Sequence, residues 1–476
     1  MKWASTRRLS PATPETQLTS DKNLTCFKAY DVRGKLGEEF NEDIAYKIGR
    51  AIAQSQKAKA VAVGFDARAT SPDLASAVAK GICDAGADVL NIGLAGTEEI
   101  YAAVTEFEAC AGVEVTASHN PIDYNGMKIV GRGSKPLSDN EFKRIKGLAM
   151  ENNFSQPQQL GSVLDKKEVA RAAYVDKVLG FVDCASLKPL KIIINSGNGA
   201  AGPTVDAINK ELIEKGVKTN FVFVHHDPDP TFPNGIPNPL LEENRSSTVN
   251  AVIAESANFG VAFDGDFDRC FFFDQSGNFI PGEYVVGLLA EIFLNKEKGA
   301  TIIHDPRVIW NTIDVVGKSD GTAVASKTGH AFVKAAMRTK DAVYGGEMSA
   351  HHYFRDFAYC DSGIIPWLLV WEYLSAFNLS LSDLISERRN RFPSSGEMNF
   401  TVPHASTCIE RVQKRFASRA ASIDKLDGLS MSFVNWRFNL RKSNTEPLVR
   451  LNVEARGDHD VLEEKIEELK TVIKDL

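Results

Sequence analysis

Three times along this chain, short apolar runs alternate with segments of helical period, and that alternation limits the fold more than any other feature. In the first unit, Asn41 caps a predicted helix whose Ile44, Ile48 and Ile52 fall four apart on one face. A strand over 60–65 follows. A helix opened by Ser71-Pro72 then points Leu74, Val78 and Ile82 inward, and further strands are expected over 89–92 and 112–116. The pattern returns as a strand over 191–194, a helix near 203–215 and a strand over 221–224. It returns again as a helix over 284–294 with strands over 301–304 and 322–325. Strands interleaved with helices predict mostly parallel, mixed sheets covered on both faces.

The end of the chain departs from this pattern. Residues 431–440 and 449–453 alternate with period two, as half-buried antiparallel strands do, and Leu462, Ile466, Leu469 and Ile473 share one face of a closing helix. At ~100–200 residues per domain, 476 residues accommodate three α/β domains and a smaller α+β domain. Polar or Pro/Gly stretches set the boundaries at 23–165, 166–276, 277–392 and 393–476. Residues 1–22, rich in Ser, Thr, Pro, Gln and charge, read as a disordered leader with no role.

The net charge of −7 disfavours a nucleic-acid binder and requires local positive charge if the ligands are anionic. Seven scattered cysteines with no Cys-x-x-Cys argue against disulfides and thiolate metal sites, and for a reducing cytoplasm. No apolar run reaches the ~18–20 residues of a membrane helix, so no membrane partner is expected.

Chemistry concentrates in four short segments. Asp264-Gly-Asp-Phe-Asp-Arg269 lies between two apolar runs, so a tight loop presents carboxylates at i, i+2 and i+4. Such a cluster repels itself unless a cation neutralises it, and its hard oxygens suit Mg²⁺ used together with a substrate phosphate. Gly265 is expected to let the backbone bend around the ion. Thr116-Ala-Ser-His-Asn-Pro121 follows a buried strand, which puts Ser118 at a strand's carboxyl end as nucleophile or phosphoryl carrier. His119, as the adjacent residue, is expected to diverge from it. Arg441-Lys-Ser-Asn-Thr-Glu-Pro447 offers Arg441, Ser443, Asn444 and Thr445 as donors for a phosphate dianion. Gly345-Gly-Glu-Met-Ser-Ala-His-His-Tyr353 is expected to run extended, with Glu347 and Ser349 facing sugar hydroxyls together. Its adjacent His351 and His352 diverge, and a sugar or phosphate contact fits His351 better than a metal.

Weaker signals end strands or turns with a donor or cation: Tyr30, Arg33, Lys128, Arg307, Lys327 and His330. Gly197-Asn-Gly-Ala-Ala-Gly202 matches a dinucleotide fingerprint between a strand and a helix. A nicotinamide dehydrogenase built on it leaves the other loops unexplained, whereas a tightly packed turn needs no ligand.

The serine loop, the aspartate loop, Gly-Glu-Met-Ser and Arg-x-Ser-Asn-Thr-Glu-Pro, in that order, resemble the α-D-phosphohexomutase superfamily from about Thr25 to the C-terminus. Within it the chain is most similar to the bacterial mannose-phosphate branch that feeds GDP-mannose and polysaccharide synthesis. The resemblance implies four domains around one cleft and phosphoryl transfer between two positions of a hexose. Ser118 would carry the phosphoryl group, and Asp264, Asp266 and Asp268 would hold Mg²⁺ together with that serine's phosphate. Glu347 and Ser349 would bind the sugar, and Arg441, Ser443, Asn444 and Thr445 its non-reacting phosphate. Tyr30, Arg33, His119, Lys128, Arg269, Arg307, His330 and His351 match cleft positions, with Lys128 and His330 both open as general base. A hexose 1,6-bisphosphate would be activator and intermediate, and the chain a monomer or dimer. Ala350 stands where Gly is common and Arg307 where many relatives have Lys, which bears on substrate preference. Glucose and glucosamine phosphates are the alternative substrates, and a non-catalytic sugar-phosphate binder is the alternative class.

Overall fold

The computed structural model describes residues 24–443 and 448–474; the leader expected over 1–22 lies outside them. Four sheets follow one another along the chain. The first has the spatial order Val32–Lys35, Tyr124–Gly131, Ala111–Val115, Ala60–Phe65, Asp88–Leu94 and Val163–Asp165. Its last four strands are parallel and its first two antiparallel. The second sheet joins the parallel strands Asn220–Val224, Lys191–Asn195 and Phe259–Phe263 to the antiparallel Cys270–Asp274 and Phe279–Ile280. The third repeats that plan with Thr322–Ala325, Thr301–His304 and Tyr344–Gly346, extended by His352–Phe354 and Cys360–Asp361. These three sheets are therefore mixed: parallel strands flanked by helices, each continued at one edge by antiparallel strands.

Local chemistry accounts for the elements. Asn41 accepts a hydrogen bond from the Ile44 amide at 3.0 Å and so caps the helix Glu42–Ser55. Pro72 opens the helix Ser71–Asp84. Ile48, Ile52, Leu74, Val78 and Ile82 are all buried against the first sheet, at roughly 1.5–3 kcal/mol for each side chain removed from water.

The fourth sheet is antiparallel throughout, in the order Ser394–Thr401, Leu448–Ala455, Trp436–Lys442, Leu429–Ser432 and Ser422–Asp424. The single strand expected over 431–440 is two strands. The chain reverses at Phe433–Asn435, where the Phe433 amide bonds the Trp436 carbonyl and Val434 is 89% exposed. Alternation continues through so short a reversal, so the period alone did not reveal it.

Packing divides the molecule unequally. Ile100, Tyr174, Ile192, Phe263, Leu289, Ile302 and Trp367 belong to one continuous apolar core that joins the first three units. The last unit keeps its own core, including Val412, Phe438, Leu451 and Ile466, and docks through polar groups. Arg437 pairs with Glu454 at 2.8 Å and donates to the carbonyls of Arg307 and Pro306. Glu454 in turn accepts the amides of Ile309 and Trp310. Among the described residues no single helix is long and apolar enough to cross a membrane, and all seven cysteines are free.

Candidate active site

The strand Ala111–Val115 delivers the chain into Ser118, whose φ of +48° is the left-handed conformation that costs a non-glycine residue energy. Surrounding bonds hold it there. Its amide bonds Thr116 Oγ1 at 2.8 Å, and Arg68 donates to the carbonyls of Ser118, Asn120, Pro121 and Tyr124. Arg33 adds bonds to the Ala117 carbonyl and to Asn120 Oδ1, both at 2.8 Å. Such anchoring fits the pre-organisation expected where backbone strain is stored at a working site.

The aspartate loop meets this serine loop directly. It turns between the antiparallel strands Phe259–Phe263 and Cys270–Asp274, as its flanking apolar runs predict. Ser118 Oγ donates to Asp264 Oδ2 at 2.8 Å. Gly265 serves close approach rather than a special bend: a Cβ there would lie 2.7 Å from the Ser118 carbonyl oxygen. The glycine turn 197–202 has the same role one layer behind. A Cβ on Gly199 would lie 2.8 Å from the Gly265 carbonyl oxygen, which also accepts the Ala200 amide. That match to a nucleotide fingerprint is a brace for the aspartate loop.

Asp264, Asp266 and Asp268 are fully buried, and their ligand oxygens lie within 4.8 Å of one another. The Oδ1 atom of each lacks a hydrogen-bond partner. Three buried carboxylates, each with an oxygen to spare, fit a hard divalent cation such as Mg²⁺. Two cations of the chain sit beside them. Lys128 Nζ is 2.6 Å from Asp266 Oδ2 and also contacts Asp268, and Arg269 Nε is 2.9 Å from Asp264 Oδ2. Burial alone would lower the Lys128 ammonium, but the three aspartates outweigh it and raise it. Burial pushes the Asp264 carboxyl up. Burial acts the same way on Asp268, yet Lys128 and His351 hold that carboxyl well below the usual range.

His119 does not diverge from the serine. Its Nδ1 lies 3.1 Å from Ser118 Oγ and 2.6 Å from Arg269 Nη2. The left-handed turn at Ser118 swings the two neighbours to the same side, which alternation along an extended chain does not allow. The Arg269 charge, then burial, hold His119 well below its usual value, so its Nδ1 accepts the guanidinium bond as a neutral imidazole.

The third unit contributes the opposite wall. Residues 347–351 form a turn rather than an extended segment, closed by the Glu347 amide on the His351 carbonyl. The two strands it joins are antiparallel neighbours, which requires a reversal here. The expected convergence is nevertheless achieved. His351 Nδ1 lies 3.3 Å from Ser349 Oγ and 3.9 Å from Glu347 Oε2, and its Nε2 lies 3.6 Å from Asp268. Burial lowers His351, but the neighbouring Asp268 carboxylate raises it on balance. His352 points away, onto Tyr344 Oη at 2.7 Å. Glu347 is fixed by the Gly329 amide and Tyr353 Oη. His330 stands edge-on to Tyr30 at 4.8 Å, and burial followed by the Lys334 charge brings its value down to about 3. Lys327 is exposed, with its ammonium 5.9 Å from the Phe332 ring centre, and contacts none of these groups.

Arg307 and Arg441 meet where the third and fourth units face each other, both on the Glu397 carboxylate. Ser443 bonds the Leu448 carbonyl through its amide, and Asn444 and Thr445 lie outside the described residues.

Several groups at the site carry no motif. Arg68 and its partner Asp66 end the strand Ala60–Phe65, and that position was their available signal. Thr97 Oγ1 holds Asp266 Oδ2 at 2.6 Å. Asp361, near His351 and Asp268, is paired with Lys334 at 2.6 Å. Glu114, the register neighbour of Lys128, is fully buried with neither oxygen hydrogen-bonded.

Family profiles described as phosphoglucomutase/phosphomannomutase alpha/beta/alpha domains I, II and III match residues 25–156, 172–277 and 281–392, and the C-terminal domain profile matches 397–471. The chain belongs to the phosphoglucomutase/phosphomannomutase family. It is 55% identical to a phosphomannomutase of Escherichia coli over 95% of this chain and 100% of that one. A phosphomannomutase of Vibrio cholerae is 54% identical over 96% and 99% of the two chains. A crystal structure of a phosphoglucomutase/phosphomannomutase family protein from Burkholderia thailandensis superposes with a TM-score of 0.83 at 30% identity, covering 95% and 98%.

Proposed function

We propose that the chain is a phosphomannomutase, interconverting mannose 1-phosphate and mannose 6-phosphate through a phosphoserine at Ser118. The observation that carries this reading is the Ser118 hydroxyl: strained, pinned by Arg68, and bonded to one of three clustered aspartates with Lys128 and Arg269 alongside.

Phosphoryl transfer depends on positioning and charge neutralisation more than on covalent chemistry by the protein. Mg²⁺ held by Asp264, Asp266 and Asp268 would supply positive charge beside the phosphoserine. Arg269 and Lys128 neutralise charge on the phosphoryl oxygens as the group leaves Ser118 for the free hydroxyl of the sugar phosphate. Glu347 and Ser349 hold ring hydroxyls, with His351 between them, and Tyr30 and Arg33 line the approach. Neutral His119 donates nothing at Nδ1, so it leaves the serine oxygen free to give up and regain the group. The hydroxyl proton passes to a base that is one of two cleft residues, Lys128 or His330, between which rate measurements on Lys128→Met and His330→Gln decide.

The product of the first transfer is a hexose 1,6-bisphosphate. It turns over in the cleft, because one serine serves both ends of the sugar, and Ser118 then takes the other phosphoryl group back. Arg307, Arg441, Ser443, Asn444 and Thr445 grip whichever phosphate is not reacting. The fourth unit, docked through Arg437 and Glu454 and carrying this grip, closes to exclude water. Seven free cysteines suit a cytoplasmic enzyme that supplies GDP-mannose synthesis.

Purified protein should carry a phosphate-sized mass increment on Ser118, and Ser118→Ala should lose both that increment and turnover of mannose 1-phosphate, with Mg²⁺ and bisphosphate supplied. Near-normal turnover by Ser118→Ala refutes the carrier role. Mannose, glucose and glucosamine 1-phosphates assayed side by side test the substrate assignment.

A further inference from the structure

Glu397 sits in the stretch that reads from sequence as a boundary, yet it is the meeting point of three arginines. Its Oε2 is 2.8 Å from Arg441 Nη2 and 3.5 Å from Arg307 Nη1, and its Oε1 is 3.1 Å from Arg450 Nη1. Arg307 comes from the third unit, and the other two come from adjacent strands of the fourth. The strand Ser394–Thr401 is irregular at this point. Its register shifts between Ser394 and Glu397, and Gly396 has φ +66°. A bulge of this kind re-aims the following side chain, here onto the three arginines.

Arg307 does not need Glu397 to be held in place. Its Nη2 bonds Asp305 Oδ2 at 2.7 Å, and Asp305 is itself fixed by the Arg307 and Met348 amides. Glu397 lies against the other terminal nitrogen of the same guanidinium, and its side chain remains 21% exposed. Burial pushes the Glu397 carboxyl up, but Arg307, then Arg441 and Arg450, outweigh burial and keep it below its ordinary value. A solvent-reachable, ionised carboxylate therefore occupies the place where guanidiniums from two domains converge on an anion.

We propose that Glu397 is the resident anion of the phosphate subsite: it occupies the arginines when the subsite is empty and is displaced by the substrate's non-reacting phosphate. This rests on the mutase reading above, which needs that subsite to let go of one phosphate and take up the other within a single turnover. With this carboxylate neutralised, the subsite carries more positive charge and holds a phosphate dianion more tightly. A carboxylate that returns as the phosphate departs loosens that grip and speeds the exchange. Glu397 therefore weakens ground-state binding and raises turnover, the opposite of what a scaffold residue does.

The test is Glu397→Gln, which keeps the shape and removes the charge. Inorganic phosphate is titrated calorimetrically into metal-free wild type and variant at fixed pH and ionic strength. The variant should bind at least about tenfold more tightly, and with mannose 1-phosphate its KM and kcat should both fall. The gain should vanish in Glu397→Gln/Arg441→Ala, which assigns it to this subsite. Glu397→Asp, which keeps the charge, should bind phosphate nearly as wild type does. Weaker or unchanged phosphate binding by Glu397→Gln in a protein with wild-type thermal melting overturns the proposal, as does a raised KM with kcat unchanged. A misfolded Glu397→Gln passes the decision to Glu397→Asp, where loss of phosphate binding overturns it. Wild type that binds phosphate as described but turns over no hexose phosphate sinks the mutase reading while leaving the subsite assignment standing.

Discussion

In one cluster three carboxylates pair with two cations of the chain; in the other, three guanidiniums surround one carboxylate. The two clusters also differ in support. Asp264, Asp266 and Asp268 are buried in a loop between strands of the shared core, braced from behind by Gly199 and Ala200. The arginines belong to two units with separate cores, joined by polar bonds from Arg437 and Glu454 to the 306–310 backbone of the third unit. A rigid anionic cluster suits the place where bonds are made and broken, because preorganised charge needs no rearrangement during the reaction. A divided cationic cluster suits the place where a phosphate is gripped and released.

The sharpest way to break this contrast is to exchange the kinetic signatures of the two clusters. Asp266→Asn removes a candidate cation ligand and a Lys128 partner, and should lower kcat by about 10²–10³-fold with a weakened response to Mg²⁺. Rates measured across a Mg²⁺ titration check it, and an unchanged kcat would remove the aspartate loop from the reacting end. Arg441→Ala should act mainly on binding. Loss of one charge-assisted contact, about 1.5–3 kcal/mol, corresponds to roughly a 10–100-fold rise in KM with a smaller change in kcat. If Arg441→Ala lowered kcat as much as Asp266→Asn does, the division of labour between the two clusters would fail.

The same contrast explains what the sequence disclosed. The proposed reacting end is written in short contiguous segments, because a tight loop places residues two apart within reach of one ion; the clustering of Asp264 to Arg269 beside Thr116 to Pro121 was legible for that reason. The elements that carry them were legible because the period-two and period-3.6 patterns follow one-sided burial, as in Leu74, Val78 and Ile82. Glu397 was not legible, since its partners Arg441 and Arg307 are far away in sequence and only the packing of two units unites them. Arg68 was missed for a related reason: its work is done on backbone carbonyls, which leave no trace in residue types. His119 was misread because a positive φ at Ser118 breaks the side-to-side alternation assumed for extended chain.

The smallest expected effect lies just behind the reacting end. Glu114 sits on the strand leading to Ser118, directly across from Lys128, with neither carboxylate oxygen bonded. Burial, reinforced by the charges of Asp66, Asp266 and Glu99, pushes its carboxyl well above the usual value. The folded state therefore keeps this proton to higher pH than the unfolded chain, whose glutamate releases it near pH 4.3. The contribution to stability is complete below that pH and declines as pH rises, by about 1.4 kcal/mol per unit, until the folded group itself ionises. Glu114→Gln presents the neutral amide at every pH. Its melting temperature in chelator should match wild type near pH 4.5 and exceed it by a few degrees near pH 8. Equal melting curves at both pH values would mean that Glu114 finds a partner in solution, and the nearest one in register is Lys128.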